Sequence, residues 1–455
     1  MRAASLCASL VTLFVSINCA AAQLDVRRLT INNGQPTIEG IRPIVTSSWD
    51  DKFQMGQTGG TEHFIVGADN SWLRLVLDPP WPKDWTGPAT IAVRYLDNTG
   101  PVVMQVDSSD ARLMVNGAWS WTPAAWRHGS GAWVVSRWTI AQAGFTHREL
   151  GADFSVTGLT NRGRDPLLVS EITVSRGGVV LTADVPGLAL GDKSSAAVTA
   201  HLVGTDGQPV PDGTKVTFAA TFGTCEPADT VTANGQATTR FMPEGRHGEA
   251  IVTASCEFSA GQMKLPLVEG TGGVAEIECP VEDFEAAKVG ELVDVYRSRT
   301  GQATIALLPE AAHSGHVGAV VTYAADPGVT WFNAGVNRHF VFPGAVLGMA
   351  FWAKCSEPNL ELRWSLMDAN KEHWTFPALG QEAGQDGWRR YGSTTLDGYF
   401  PNLDAVLDYP IHFAPIFVTR SPWSKADKGV LYVDDVVAKL LVARSEAGKL
   451  QGQKP

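Results

Sequence analysis

Hydrophobic and polar residues alternate in short runs over most of the chain, and this period of two is typical of half-buried β-strands. Val198, Ala200 and Leu202 share one side of such a run, and polar residues stand between them. Turn-forming dipeptides such as Asn234-Gly235 separate neighbouring runs and favour hairpins. The pattern predicts an all-β protein built from β-sandwiches.

Tryptophan divides the chain into three segments. Nine tryptophans lie between residues 49 and 138, none between 139 and 330, and six between 331 and 423. At roughly 150 residues per domain, a chain of 455 residues is expected to hold about three domains. We therefore predict a first sandwich over residues 23–178, a second over 179–270, a third over 271–443 and a flexible tail over 444–455.

The charge balance argues against two classes of main partner. Charged residues make up 18% of the chain, and the formal net charge is −11. No cluster of Lys and Arg stands out in the sequence, and an acidic protein without one is poorly suited to bind nucleic acid or an anionic membrane. We expect neither as the main partner.

The N-terminal residues have the features of an export signal. They combine Arg2, a short apolar run, and small residues at Ala20 and Ala22. This arrangement predicts a secretory signal peptide over residues 1–22, and lipidation of Cys19 is a minor alternative. No later stretch reaches the ~18 apolar residues of a transmembrane helix. We therefore expect a secreted, extracellular protein, with the periplasm as the alternative location.

Four cysteines follow the predicted signal peptide, and an even number in an oxidising compartment favours disulfide bonds. Four cysteines allow three connectivities. Pairing within domains would join Cys225 to Cys256 and Cys279 to Cys355, and buried free thiols are the alternative. The sequence has no C-x-x-C pair, so a zinc cluster is not expected.

The middle segment carries an ordered series of motifs. These are DGQPVP at 206–211, VTF at 216–218, NGQA at 234–237 and VTA at 252–254. In this order they resemble the bacterial immunoglobulin-like domains of the invasin and intimin type. The resemblance implies an immunoglobulin-like sandwich that serves mainly as a spacer.

The third segment opens with VEDFE at 281–285, continues with DGWRRY at 386–391 and closes with LYVDDV at 431–436. These motifs are similar to those of the jelly-roll, galactose-binding-like carbohydrate-binding modules attached to secreted glycoside hydrolases. The first segment resembles the same modules through FTHRELGADFSV at 145–156. The resemblance implies two jelly-roll sandwiches around the spacer, a polysaccharide or oligosaccharide ligand, and a partner glycoside hydrolase.

The same resemblance implies a structural calcium ion. Glu285, near the opening strand, and Asp434, in the closing strand, match the acids that hold calcium in the family. Calcium takes six to eight oxygen ligands, so two matching acids alone do not define a site. His313 and His316 are a weaker metal candidate, and a surface loop explains their spacing more simply.

Indole rings can pack in a core or stack on the apolar face of a sugar ring. Trp364 lies in phase with Leu362 and Leu366, and Trp388 precedes a predicted strand, so both are expected in the core. Other tryptophans stand beside turn-forming or polar residues, where loops build binding surfaces. The candidates for sugar stacking are Trp81, Trp85, Trp121, Trp126, Trp331, Trp374 and Trp423.

Motifs for catalysis are absent from the sequence, which contains no G-x-S-x-G, no H-E-x-x-H and no G-x-x-x-x-G-K. A secreted, non-catalytic polysaccharide-binding protein is therefore the leading hypothesis, and no catalytic residue is assigned. A glycoside hydrolase or polysaccharide lyase is one alternative, with Asp50, Asp51 and Glu149 as the candidate acids. An extracellular adhesin or scaffold protein is the other.

Overall fold

The computed structural model places most of the chain in β-strands. It describes residues 26–45, 53–66, 72–109, 120–122, 124–148, 150–158, 165–329, 331–356, 361–395, 407–420 and 427–450. The predicted signal peptide lies outside these residues. None of the helices in the described part of the chain is long and apolar enough to cross a membrane.

The first unit is a sandwich of two antiparallel sheets. Its strands are β1 (Val26–Asn32), β2 (Gln35–Glu39), β3 (Ile41–Ile44), β4 (Phe53–Thr58), β5 (Thr61–Val66), β6 (Leu73–Leu77), β7 (Ala89–Leu96), β8 (Thr99–Val106), β9 (Ser120–Trp121), β10 (Ala125–His128), β11 (Trp133–Ile140), β12 (Phe154–Thr157) and β13 (Leu167–Arg176). One sheet has the order β11-β7-β13-β1-β2, with β5 and β4 added beside β13. The other has the order β10-β8-β12-β6-β3, with β9 beside β8.

The second unit is a smaller sandwich. Its strands are β14 (Gly178–Ala183), β15 (Leu188–Ala189), β16 (Ala196–Val203), β17 (Lys215–Ala220), β18 (Gly223–Glu226), β19 (Asp229–Val231), β20 (Gln236–Pro243), β21 (Gly248–Ser255) and β22 (Ala260–Val268), with a 3₁₀ turn at Leu190–Asp192. The sheets have the orders β14-β16-β20-β18 and β15-β22-β21-β17-β19. Alternation along β16 buries Val198, Ala200 and Leu202, as the sequence pattern predicts.

The third unit is the largest. Its strands are β23 (Val274–Glu282), β24 (Val293–Arg297), β25 (Gly301–Leu308), β26 (Gly318–Ala325), β27 (Phe332–Arg338), β28 (Val341–Phe342), β29 (Ala345–Cys355), β30 (Glu361–Met367), β31 (His373–Ala383), β32 (Arg389–Thr394), β33 (Ile411–Arg420) and β34 (Lys428–Ala443), with a 3₁₀ turn at Pro309–Ala311. The order is β24-β27-β33-β30-β31-β32-β29-β34-β26-β25. Strand β31 pairs with β30 and then, past a bulge, with β32, so it joins the two layers. The all-β sandwich architecture expected from the sequence is confirmed.

Hydroxyl groups join the first unit to the second. The side chains of Thr90 and Thr139 each contact the Ser259 hydroxyl, at 2.7 and 3.0 Å. Thr139 also donates to the Ala260 carbonyl (2.9 Å) and accepts from the Val179 amide (3.0 Å). Ser259 is fully buried, so this network is sheltered from water and fixes how the two sandwiches meet.

Charged contacts join the second unit to the third. Arg246 forms an ion pair with Asp408 at 2.8 Å, and the Lys264 ammonium lies 5.0 Å from the centre of the Trp374 ring. The glycine-rich linker between the units is itself held, because the Asp192 carboxylate accepts hydrogen bonds from the amides of Gly272 (2.9 Å) and Gly273 (2.7 Å). These two bonds lower the pKa of Asp192.

A helix, α1 (Arg444–Leu450), follows the last strand. Ala447 and Leu450 pack against the core of the third sandwich, and the Ser445 hydroxyl accepts a hydrogen bond from the Thr271 amide at 3.0 Å. The expectation of a flexible tail is therefore wrong for residues 444–450. Residues 451–455 lie outside the described part of the chain.

The four described cysteines are all free thiols, so the expected disulfide bonds are wrong. Cys279 and Cys355 pair with positions of β34 that lie seven residues apart. Seven residues of strand span about 23 Å, whereas a disulfide requires Cα atoms within about 7 Å. Cys225 lies on β18 in one sheet of the second unit, and Cys256 follows β21 in the other sheet.

Candidate functional site

Four neighbouring strands of the third sandwich, β24, β27, β33 and β30, present a mixed aromatic and polar outer face. The strand register places Tyr296, Gly335, Phe417 and Arg363 in one row across these strands. The next residue on β27, Val336, points to the core, where it lies with Ile416 and Trp364. The row containing Tyr296 is therefore on the side away from the core.

Gly335 lets the two aromatic side chains of this row meet. The ring centroids of Tyr296 and Phe417 lie 5.4 Å apart across the glycine. A Cβ atom at position 335 would overlap the carbonyl oxygen of Ile416 and lie 2.5 Å from Cα of Phe417. A strand glycine flanked by aromatic neighbours is a known device of sheets, and here it lets the half-buried Tyr296 ring contact the Phe417 ring, which is only 4% exposed.

Polar atoms without partners flank this aromatic pair. The Oδ1 atoms of Asn333 and Asn337, on either side of Gly335, are buried and have no hydrogen-bond partner, and the same holds for Oγ1 of Thr419. Most buried polar atoms in proteins are hydrogen-bonded, and an unpaired one costs about 1–3 kcal/mol. Three of them lie on one sheet face, and each has almost no accessible surface, so a ligand reaches them only when neighbouring side chains move.

Trp331 lies at the end of the same face, one residue before β27, in phase with Asn333 and Asn337. Its exposed fraction is 38%, the largest among the tryptophan side chains that the structure describes. The Thr300 hydroxyl donates to the Trp331 carbonyl at 2.9 Å and so fixes the backbone there. We call the sheet face that carries Trp331, Asn333, Asn337, Tyr296 and the buried Thr419 the Trp331 face.

An ion pair borders the Trp331 face on β30. The Arg363 guanidinium donates from Nε to the Glu361 carboxylate at 2.7 Å, and both side chains are about one-quarter exposed. The pairing holds the guanidinium in a defined orientation beside Phe417. A ligand lying across the face would thus meet apolar rings, amides and one charged donor.

Trp374 does not lie on a binding surface. It is 2% exposed and packs in the core of the third sandwich, and its indole N–H points to the Asp368 carboxylate at 3.5 Å. Alternation along β31 buries Trp374, Phe376 and Ala378 together, so the polar flanks of this tryptophan were misleading and its phase was the better signal. Trp364 and Trp388 are buried, as expected.

Two first-segment candidates also pack inside the protein. Trp81 is 4% exposed and meets Phe145 edge to face at 5.1 Å. Trp85 is half-buried: its indole N–H donates to the Pro88 carbonyl at 3.1 Å, and its ring lies against Gly207 of the second unit. The proline-rich loop that carries both folds back onto the sandwich, so these rings are not open sugar platforms.

The other candidates divide between partial and missing descriptions. Trp126 is half-buried on β10. Trp121 belongs to β9, but its side chain lies outside the described residues, as do Trp423 and the acids Asp50, Asp51 and Glu149. The proposed roles of these residues stay predictions.

The two acids expected to bind calcium accept hydrogen bonds from backbone amides of the loop at residues 313–317. Asp434 is fully buried and accepts hydrogen bonds from the amides of His313 (2.7 Å), Ser314 (3.1 Å) and Asp435 (2.8 Å). Glu285 accepts from the amides of His316 and Val317, at 2.5 and 2.9 Å. Backbone donors occupy both oxygens of Asp434 but only Oε1 of Glu285, and calcium binding by the two acids stays a prediction.

His313 is likewise engaged within the protein. Its Nδ1 lies 2.7 Å from the Asp435 carboxylate, and its ring stacks on Trp352 with centroids 4.0 Å apart. Among the described residues, no group of three or more His, Cys, Asp or Glu side chains could hold a metal ion. Burial is the main reason why the pKa of Asp434 rises to about 6.

Several residues of the Trp331 face escape sequence reasoning. Asn333, Gly335 and Asn337 form a period-two pattern within FNAGVNR, and this signal could have identified one strand of the face. Tyr296 and Thr419 reach the same face from strands far away in the sequence, so only the fold brings them together.

Comparisons with known proteins give structural likenesses only. No family model matches the chain, and no curated protein matches it. The chain is similar to the family 11 carbohydrate-binding module from Clostridium thermocellum in complex with a β-1,3-1,4-mixed-linked tetrasaccharide, with 16% identity, 37% of this chain and 98% of that chain covered, and a TM-score of 0.27.

Two further solved structures are similar. One is the mannan-recognising carbohydrate-binding module TmCBM27, with 10% identity, 37% and 98% of the two chains covered, and a TM-score of 0.25. The other is the Yersinia pseudotuberculosis adhesin InvE, with 13% identity, 58% of each chain covered and a TM-score of 0.18.

Proposed function

We propose that this chain is an extracellular polysaccharide-binding protein and that its third sandwich holds the glycan on the Trp331 face. The observation that carries the proposal is the meeting of an exposed indole, a cross-strand aromatic pair and three unpaired polar atoms on one sheet face. A pyranose has apolar C–H faces and a rim of hydroxyl groups, so it complements such a surface.

The polar part of the face supports selectivity. Each sugar hydroxyl donates one hydrogen bond, so two hydroxyls can satisfy the Oδ1 atoms of Asn333 and Asn337 once neighbouring side chains move, and either can accept from Arg363. Ligand binding would then recover hydrogen bonds that the ligand-free protein lacks.

Binding of soluble polysaccharides to the full chain tests the proposal. Affinity electrophoresis should be run in gels that contain mixed-linkage β-glucan, mannan or β-1,4-galactan, with calorimetry on the matching oligosaccharides. We expect retardation by at least one glycan. Trp331→Ala should weaken binding by about two- to tenfold, because an aromatic contact contributes about 0.5–1.5 kcal/mol.

Val341→Ala is the matched control, because Val341 is 52% exposed on β28 of the same sheet but lies outside the Trp331 face. Asn337→Ala removes an unpaired polar group, so it should reduce binding without lowering thermal stability. Loss of binding by Val341→Ala as well, or full binding by both Trp331→Ala and Asn337→Ala, would refute the assignment of this face.

A further inference from the structure

A cleft lies where the first sandwich meets the second. Its volume is about 530 Å³, within the range of about 300–1,000 Å³ that is usual for small-ligand sites. The outer face of the sheet formed by β1, β7, β11 and β13 makes the floor, and Gly204, Thr205, Val210 and Phe258 of the second sandwich line the other side. We call it the junction cleft.

The strand register orders the floor of the cleft in rows. Arg137, Ala92, Thr173 and Arg28 stand opposite one another across β11, β7, β13 and β1. Side chains at these positions point away from the core, because the intervening residues, such as Ile91, are fully buried. The small side chain of Ala92 leaves space in the middle of the row, and Arg137 and Arg28 stand at its two ends.

The second wall of the cleft is held in place. Phe258 directly precedes Ser259, whose buried hydroxyl contacts Thr90 and Thr139 of the first sandwich. Gly207, in the same turn as Gly204 and Thr205, lies against the Trp85 ring. The cleft is therefore a built feature of the junction between two sandwiches.

Positive charge dominates the lining. Arg94 and Arg137 line the cleft from two strands, and Glu171 is the one carboxylate among the lining residues. Arg28, which lies beside the cleft, neutralises Glu171 through an ion pair at 2.9 Å. The Arg94 guanidinium lies 5.4 Å from the centre of the Trp133 ring. Arg137 is exposed and has no carboxylate partner within the described residues. A cationic cleft is unexpected in a chain of net charge −11.

Exposed apolar side chains and hydroxyl groups complete the cleft. Val135 is 43% exposed, and Val26 and Phe258 are each 39% exposed. Thr173 and Ser175 add hydroxyl groups between them. This combination suits a ligand that carries apolar C–H faces, hydroxyl groups and negative charge at once.

We propose that the junction cleft binds an acidic saccharide, whose carboxylate or sulfate group pairs with Arg137 and Arg94 while its ring packs on Phe258. Guanidinium groups match both anions through paired hydrogen bonds. A polyglutamate peptide is the less suitable ligand, because it carries carboxylates but no sugar ring to pack on Phe258. This site is separate from the Trp331 face, so the two proposals can fail independently.

Calorimetry with the full chain tests the proposal on two acidic ligands and one neutral ligand. Oligogalacturonate carries carboxylates, its fully methyl-esterified form has the same rings without charge, and a sulfated heparin oligosaccharide carries sulfates. We expect binding of oligogalacturonate or of the heparin oligosaccharide, which identifies the anion, and no binding of the methyl ester. Added salt should weaken binding.

Arg137→Gln should weaken binding about tenfold or more, since a hydrogen bond between charged groups is lost. Arg240→Gln is the matched control, because Arg240 is an exposed arginine of the second sandwich that lies outside the cleft. Thr173→Glu, which places a carboxylate in the floor, should abolish binding, and Trp331→Ala should leave it unchanged. Equal binding of the methyl ester or of a polyglutamate peptide, or an equal loss in Arg240→Gln, would overturn the proposal.

Discussion

Replacing Trp374 by alanine separates a structural role from a ligand-binding role. The side chain is 2% exposed, belongs to the core of the third sandwich and is covered at the unit junction by Lys264. Removal of a buried tryptophan costs about 3–5 kcal/mol of unfolding free energy, because apolar contacts are lost and a cavity remains. For a unit of this size, each kcal/mol lowers the melting temperature by about 2–4 °C. We therefore expect a decrease of about 6–20 °C.

Differential scanning calorimetry of the full chain measures this change in the transition of the third sandwich. Trp331→Ala is the matched substitution, and its melting temperature should fall by less than about 4 °C, because the ring is partly exposed. Glycan binding should show the reverse order at a temperature where both variants are folded. An unchanged melting temperature in Trp374→Ala together with lost glycan binding would refute the reasoning from burial.

Three further predictions follow from the described geometry. Gly335→Val should lower the free energy of unfolding in urea by at least about 1–3 kcal/mol, because its side chain collides with the adjacent strand, and an unchanged value would contradict the close approach. Burial raises the pKa of Asp434 to about 6, so the folded state binds more protons than the unfolded state between about pH 4 and 6. Acidification from pH 7 to 5 should therefore raise the melting temperature of the wild type relative to Asp434→Asn. A decrease of this difference on acidification would indicate a bound cation instead. The four described cysteines should all react with Ellman's reagent in guanidinium without a reductant, and two or four missing thiols would reveal disulfide bonds.

The sandwiches themselves were predictable, because alternation is a local signal that tertiary contacts do not overturn. Trp364 shows this, since its phase with Leu362 and Leu366 placed it correctly in the core. Trp374 shows how the same signal can be overlooked: polar neighbours suggested a loop, although Phe376 and Ala378 continue its phase. Inside a strand, the alternation of hydrophobic and polar residues predicts the burial of a side chain better than the polarity of its neighbours does.

The two proposed binding surfaces were much less predictable, because they depend on which strands become neighbours. Arg28, Arg94 and Arg137 are far apart in the sequence, and only the strand register brings them to one face. The resemblance implied that Glu285 and Asp434 hold calcium. In the structure both accept hydrogen bonds from backbone amides of one loop, and backbone donors leave no mark in the sequence.

Hydrogen bonds stabilise both connections between the sandwiches. Ser259 contacts Thr90 and Thr139 at one connection, and Asp192 accepts from the linker amides of Gly272 and Gly273 at the other. Both connections restrict rotation between the sandwiches, so the distance and the angle between the Trp331 face and the junction cleft are fixed. A glycan chain that binds both sites would have to match this distance. The protein would then select glycans by the shape of the polymer as well as by its sugar composition.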